Sequence, residues 1–288
     1  MKALLATYQD AEKKKIAVGH FNVSGLSTLK GIVAAAKDLQ VPVVVGVSEG
    51  EREFLGDRQI SALVASFREG DGIPLYLNAD HTHSLESAVA AARAGFDSIV
   101  FDLSALPIEE NIQKTKSAVE VLKGINPSIL VEGEIGDIGT GSQIHDAAPD
   151  LTRGLTTPEQ AKAFVGATDI DILAPAVGNM HGMLRSMVQG KARKHLDIER
   201  IAEIKRATGS LLTLHGGSGT DDADFVKAID AGINIIHVNT ELRVVWRRSL
   251  DEALSAMPDE VVPYKILPAV VEATRRLAIA RLKLFNKL

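Results

Sequence analysis

The chain has 288 residues, of which 45% are hydrophobic and 24% charged, with a net charge of −5. That length and balance describe a globular protein with one large core, and the interspersed acids and bases give no support for nucleic acid or an anionic membrane as a partner. With no cysteine, disulfides and thiolate metal sites are excluded, so any transition metal must be held by His and carboxylate side chains.

In chain order, residues 1–15 read as a short amphipathic helix with Leu4, Leu5 and Tyr8 on one side. No cationic, apolar leader is visible there, and no apolar run reaches the ~18 residues of a membrane span, so a soluble cytoplasmic protein is expected. Eight β-rich runs follow, at 17–23, 41–48, 75–80, 98–103, 129–135, 171–177, 211–216 and 234–239, each leading into helical periodicity. Eight is the number that closes a barrel. An open doubly wound sheet would carry a Gly-rich phosphate loop after its first strand, where this chain has Ser24-Gly25-Leu26-Ser27. The expected fold is therefore α/β, a single (β/α)8 TIM barrel. Segments 84–94 and 221–231 repeat apolar residues at three- and four-residue spacing and close on Gly95 and Gly232, with Ser84 as an N-cap. The longest gap, 136–168, holds a Gly-rich stretch, 136–154, expected to be a mobile active-site loop, and then a helix from Pro158. After Pro263, apolar positions from Val270 to Leu284 predict a last amphipathic helix able to cover the barrel or a neighbour. Without a linker or composition break, 1–288 is expected to be one catalytic barrel domain with a C-terminal helical extension.

Chemistry in such a barrel sits at the carboxyl ends of the strands. There the third run ends in Asp80-His81-Thr82-His83, the fourth gives Asp102 and Ser104, and the fifth alternates Glu132 and Glu134. The sixth leads to Gly178-Asn179-Met180-His181-Gly182, the seventh to His215-Gly216-Gly217-Ser218-Gly219, and the eighth ends in His237-Val238-Asn239-Thr240. His81, His181 and His215 thus fall on one rim, and three imidazoles with an open position make a catalytic metal site. Asp80, next to a proposed ligand, could fix that imidazole or move a proton. Glu132 and Glu134 share a face and, buried, need a cation, whether a metal or a basic side chain. The glycine-rich turn at 216–219, with Asn239-Thr240, occupies the place where barrels hold a phosphate, and Arg185 could add a bidentate contact.

These elements resemble the class II, metal-dependent fructose- and tagatose-bisphosphate aldolases along nearly the whole chain. The likeness runs from Ala17-Val18-Gly19-His20-Phe21-Asn22-Val23 and Val47-Ser48-Glu49-Gly50 to Asn239-Thr240-Glu241-Leu242-Arg243, Pro263-Tyr264-Lys265 and Lys283-Leu284-Phe285. The resemblance implies that His81, His181 and His215 bind zinc, or another divalent ion in its place, and it allows a monovalent cation as well. It implies that Asp80 is the acid/base on the substrate hydroxyl and that Glu134, with Asp102 nearby, belongs to a second or alternative metal position. Ser48, Gly182, Arg185, Gly216, Ser218, Asn239 and Thr240 would surround a phosphorylated ketose, which zinc would activate for cleavage to dihydroxyacetone phosphate and an aldehyde. A homodimer or homotetramer is implied too.

Four departures bear on the substrate. Gly139-Thr140-Gly141-Ser142-Gln143 lacks the acid usual in that loop, His237 stands for a usual Asn, Arg185 for Lys, and Leu103 for Gly. A different aldol substrate is therefore an alternative. So are a metal-dependent hydrolase, suggested by the His81-Thr82-His83 pair, and a non-catalytic metal-binding homologue.

Overall fold

A computed structural model describes residues 3–139, 141–146 and 154–288. Among the described residues, eight parallel strands close into a barrel: β1 (Val18–Asn22), β2 (Val43–Ser48), β3 (Leu75–Thr82), β4 (Ser98–Phe101), β5 (Leu130–Ile135), β7 (Ile172–Pro175), β9 (Leu211–Leu214) and β10 (Ile233–Val238). The ring runs in that order, and β10 closes on β1 with His20 opposite His237. Every expected strand is present. Two further two-residue strands, β6 (Ile144–His145) and β8 (Met183–Leu184), pair with each other outside the ring.

Alternation along the strands sorts the interior into layers. At the amino end Val18, Val44, Leu130, Ile172, Leu211 and Ile235 meet Leu4, Tyr8 and Ala11 of the helix Ala3–Lys14, which plugs that end of the barrel. Two residues further along β1, β5, β9 and β10 the interior turns polar, with His20, Glu132, Thr213 and His237, and beyond them lie Asn22, Asp80, Glu134 and His215. The apolar plug keeps water from the bottom of the site, and the polar layers define its floor.

Helices cover the outside. Leu85–Ala94 starts at Ser84, whose side chain accepts from the Ser87 N–H and closes the first turn as expected, and the chain then leaves the helix through left-handed Gly95. The last helix, Pro263–Asn286, buries Ile266, Val270, Thr274, Ala278, Leu282 and Phe285, a stripe at three- and four-residue spacing. It covers this chain's own barrel: the Phe285 carbonyl accepts from the Ala17 N–H, and the Phe285 ring packs edge-on against Phe225 at 5.2 Å. No helix among the described residues is long and apolar enough to cross a membrane.

Candidate active site

The third strand makes an irregular exit. Its pairing with β4 slips between Ala79 and Thr82, and His81 adopts φ 45°, a left-handed backbone that costs a non-glycine residue roughly 1–2 kcal/mol. The slip brings the His81 ring over the barrel axis, 4.5 Å from His181 and 4.7 Å from His215, both nearly edge-on. Carboxylates hold the two outer ring nitrogens: His81 Nδ1 lies 2.8 Å from Asp102 Oδ2, and His215 Nε2 lies 2.5 Å from Glu132 Oε1. With those nitrogens donating, His81 Nε2 and His215 Nδ1 face each other only 3.0 Å apart, a gap that a proton on His81 or a bound ion must bridge. Such an arrangement wants a cation between them.

Glu134 supplies the matching charge. Its Oε2 is buried without a hydrogen bond, 3.6 Å from His81 Nδ1 and 3.9 Å from His215 Nδ1. Ligand atoms of His81, Glu134, His181 and His215 all lie within 4.8 Å of one another, so three imidazoles and one carboxylate with an orphaned oxygen fit a divalent transition metal. The local electrostatics agree. Burial, then the neighbouring Asp102 charge, push Glu134 well above the usual carboxylate range. Burial opposes charge on His81, but Asp80, the Asp102 hydrogen bond and Glu134 outweigh it and push that ring up to about 10. Burial and then His81 take His215 down to about 3 and hold His181 well below the usual imidazole range.

Asp80 stands beside this cluster with one oxygen engaged and one free. Asn22 donates to Oδ2 at 2.9 Å, whereas Oδ1 has no hydrogen bond and lies 3.2 Å from His237 Nδ1, outside bonding geometry. His237 in turn stacks flat on His20 at 3.4 Å. Burial works against the Asp80 charge, but His81, His237 and His20 outweigh it and hold the carboxyl well below its ordinary value.

The pocket over these groups is walled by Gly182, Gly216, Ser218, Asn239 and Thr240, with Ser142 above. Thr240 opens the helix Thr240–Ala256, whose amino end faces the pocket. Gly216 is required twice over: its φ is 58°, and a Cβ there would stand 2.2 Å from the Met180 carbonyl. The described part of the loop after β5 is pinned across the site. The Ile138 carbonyl accepts from the His181 N–H, the Gln143 carbonyl from the Met183 N–H, and β6 pairs with β8. Residue 140 and residues 147–153 of the expected mobile loop lie outside the described residues.

Comparison with known proteins agrees with this geometry. The profile described as "Fructose-bisphosphate aldolase class-II" matches residues 2–288. The chain belongs to the class II fructose-bisphosphate aldolase family. It is 35% identical to a probable fructose-bisphosphate aldolase of Bacillus subtilis, over 96% of this chain and 94% of that one. It is 33% identical to a sulfofructosephosphate aldolase of Alkalicoccus urumqiensis, over 88% of this chain and 85% of that one. Among solved structures, the YdjI aldolase of Escherichia coli K12 is 29% identical and superposes with a TM-score of 0.81, covering 99% of this chain and 97% of the other. As a member of the family the protein is a lyase.

Against that family frame, most residues singled out from the sequence meet at one place. Asp80, His81, His181, His215, Gly182, Gly216, Ser218, Asn239 and Thr240 line the inner pocket, with Glu134 beneath. Asp102 does not join a group of candidate ligands: one oxygen meets His81 Nδ1, and the other accepts from the Ser104 N–H and hydroxyl, so it orients the imidazole. Ser48 borders the outer pocket and donates its N–H and hydroxyl to Glu51. Arg185 lies elsewhere. Its side chain is 60% exposed at the start of a short helix and pairs with Asp146 at 2.7 Å. His83 turns outward, 56% exposed, and does not form a ligand pair with His81. Sequence reasoning passed over Lys194, which lies buried beneath the inner pocket, and gave no role to Arg243, which lines the outer pocket while bonded to Glu51 and the Ser142 carbonyl. Glu132, expected to need a cation, supports His215.

Proposed function

We propose that the protein cleaves a phosphorylated ketose reversibly by a retro-aldol reaction, giving dihydroxyacetone phosphate and an aldehyde. The substrate would be of the fructose-1,6-bisphosphate or tagatose-1,6-bisphosphate type. One observation carries this reading: two unsatisfied buried carboxylate oxygens, Glu134 Oε2 and Asp80 Oδ1, flank three converging imidazoles under a glycine-rich turn. His81, His181 and His215 would hold the ion, zinc by donor type, with Glu134 as a further or alternate ligand. A bound divalent ion supplies Lewis acidity that polarises the ketose carbonyl. Asp80 Oδ1 takes the proton of the C4 hydroxyl, and the Asn22 hydrogen bond to Oδ2 keeps the free oxygen turned to the pocket.

Gly182, Gly216, Ser218, Asn239 and Thr240 would take the phosphate with N–H groups, hydroxyls and the helix amino end. The two relatives above are named for fructose phosphates that differ at the second substituent, which favours a shared phosphate subsite. The outer pocket, with Ser48 and Arg243, would receive the aldehyde half. The same reading makes the enzyme a single catalytic domain that works in the cytoplasm as a homodimer or homotetramer, without nucleic acid or membrane.

The test is cleavage of ketose bisphosphates by purified protein before and after chelation, with metal content measured on His81→Ala, His181→Ala and His215→Ala. Chelation should abolish cleavage, added zinc should restore it, and each variant should lose metal and activity together. Undiminished cleavage after chelation removes the metal, and stoichiometric metal in all three variants removes the ligand set. A metal-replete protein inert toward every phosphorylated ketose removes the substrate.

A further inference from the structure

Lys194 is 2% exposed, and its Nζ lies 2.7 Å from the Met180 carbonyl, 3.0 Å from that of Gly182 and 2.6 Å from that of Gly216. Three acceptors need three N–H groups, which an ammonium has and a neutral amine lacks. Burial draws this amine down to about 7, with the Glu241 charge pulling it back up. Yet Glu241 is already committed, both oxygens bonded to Arg281, and among the described residues no carboxylate forms an ion pair with Lys194. The lysine backbone is locked too: its N–H donates to the Gly219 carbonyl and its own carbonyl accepts from the Asp221 N–H. An uncompensated buried charge is costly, so its position calls for a counter-charge.

That counter-charge belongs in the pocket. Two of the three carbonyls are those of Gly182 and Gly216, whose other atoms form the pocket wall, and the three together flank His181 and His215. A cage of backbone carbonyls is also the coordination a dehydrated monovalent cation takes. We propose that Lys194 is a built-in monovalent cation: its ammonium ties the turn after β7 to the turn after β9 and supplies the fixed positive charge that positions the substrate phosphate. The proposal rests on the phosphate reading of the pocket. It makes Lys194 a positioning residue, and it means that the wild-type enzyme needs no monovalent salt.

The experiment compares full-length wild type, Lys194→Ala and Lys194→Met in KCl, NH4Cl, NaCl and tetramethylammonium chloride at constant ionic strength. The readouts are kcat/KM on a ketose bisphosphate and the rise in Tm caused by inorganic phosphate. Wild type should be indifferent to the salt. Lys194→Ala leaves the three carbonyls open. In tetramethylammonium it should lose on the order of 10- to 100-fold in kcat/KM, mostly through KM, as expected for the loss of a fixed charge near the phosphate. K+ or NH4+ should restore both readouts with saturation. Lys194→Met keeps the length, fills the cage without charge and should stay impaired in every salt. A K+ requirement in wild type overturns the proposal, as does full activity of Lys194→Ala in tetramethylammonium or an equal loss in all salts. Should Lys194→Ala fail to fold in any salt, the wild-type salt dependence and Lys194→Met still decide: wild-type phosphate response and kcat/KM in Lys194→Met overturn it. The phosphate reading fails separately, when inorganic phosphate shifts no Tm in wild type.

Discussion

Asp80 and Glu134 are both buried carboxylates within reach of the same histidines, yet their surroundings assign them opposite tasks. Three histidines favour the Asp80 charge, whereas Glu134 faces a second carboxylate, Asp102, with His81 as its main opposing positive charge. Asp80→Asn keeps the shape and the Asn22 neighbour but removes the base. It should lower kcat by about 10²- to 10⁴-fold while metal content and KM stay close to wild type. Steady-state kinetics with metal analysis check this, and an unchanged kcat removes Asp80 from the chemistry. The three histidines and Asp80 were legible because strand ends are readable positions. Lys194 was not: in Lys191-Ala192-Arg193-Lys194-His195 it looks like part of a solvated basic run, and only the fold buries it. Arg185 shows the opposite case, since four residues past His181 the chain has turned outward and the side chain pairs with Asp146.

At the level of elements, all eight strands could be read because each is an apolar run ending in polar residues, although the third extends to Thr82 through its slipped pairing. The pair β6 and β8 carried no signal, because two-residue strands exist only where tertiary contact brings their backbones together. The same contacts give Gly216 its importance, since the turn after β9 approaches the turn after β7 at the Met180 carbonyl. Gly216→Ala meets both a positive φ and a 2.2 Å clash, so it should destabilise by more than about 2 kcal/mol and weaken phosphate binding. Gly124→Ala is the contrast. It lies in the helix Ile108–Ile125 with nothing within 4 Å of the new Cβ, so it should gain about 0.5–1 kcal/mol with activity unchanged. Urea unfolding of the two variants measures the difference, and equal shifts would show that backbone conformation at Gly216 is unimportant.

Across the whole molecule, the barrel collects its candidate ligands from strands far apart in sequence: His81 from β3, Glu134 from β5, His181 from the segment after β7, and His215 from the end of β9. Asp80 Oδ1 on β3 and Glu134 Oε2 on β5 also face the centre without a hydrogen bond, so the folded chain gains from an ion that the unfolded chain cannot hold in one place. Binding to the folded state alone stabilises by RT ln(1 + [L]/Kd), about 2.7 kcal/mol at one hundred times Kd. For a chain of this size that corresponds to roughly 5–10 °C in Tm. Calorimetry should therefore show the chelated protein melting several degrees below the zinc-loaded form. The gap should shrink in His215→Ala, where Glu132 loses its imidazole partner and the ion loses a ligand. Glu132→Gln keeps every proposed ligand and removes only the charge behind His215, so it should retain part of the gap, with metal affinity down about 10- to 100-fold. A wild-type Tm that does not respond to chelation would mean that these four elements hold their geometry without an ion, and the convergence of ligands would need another cause.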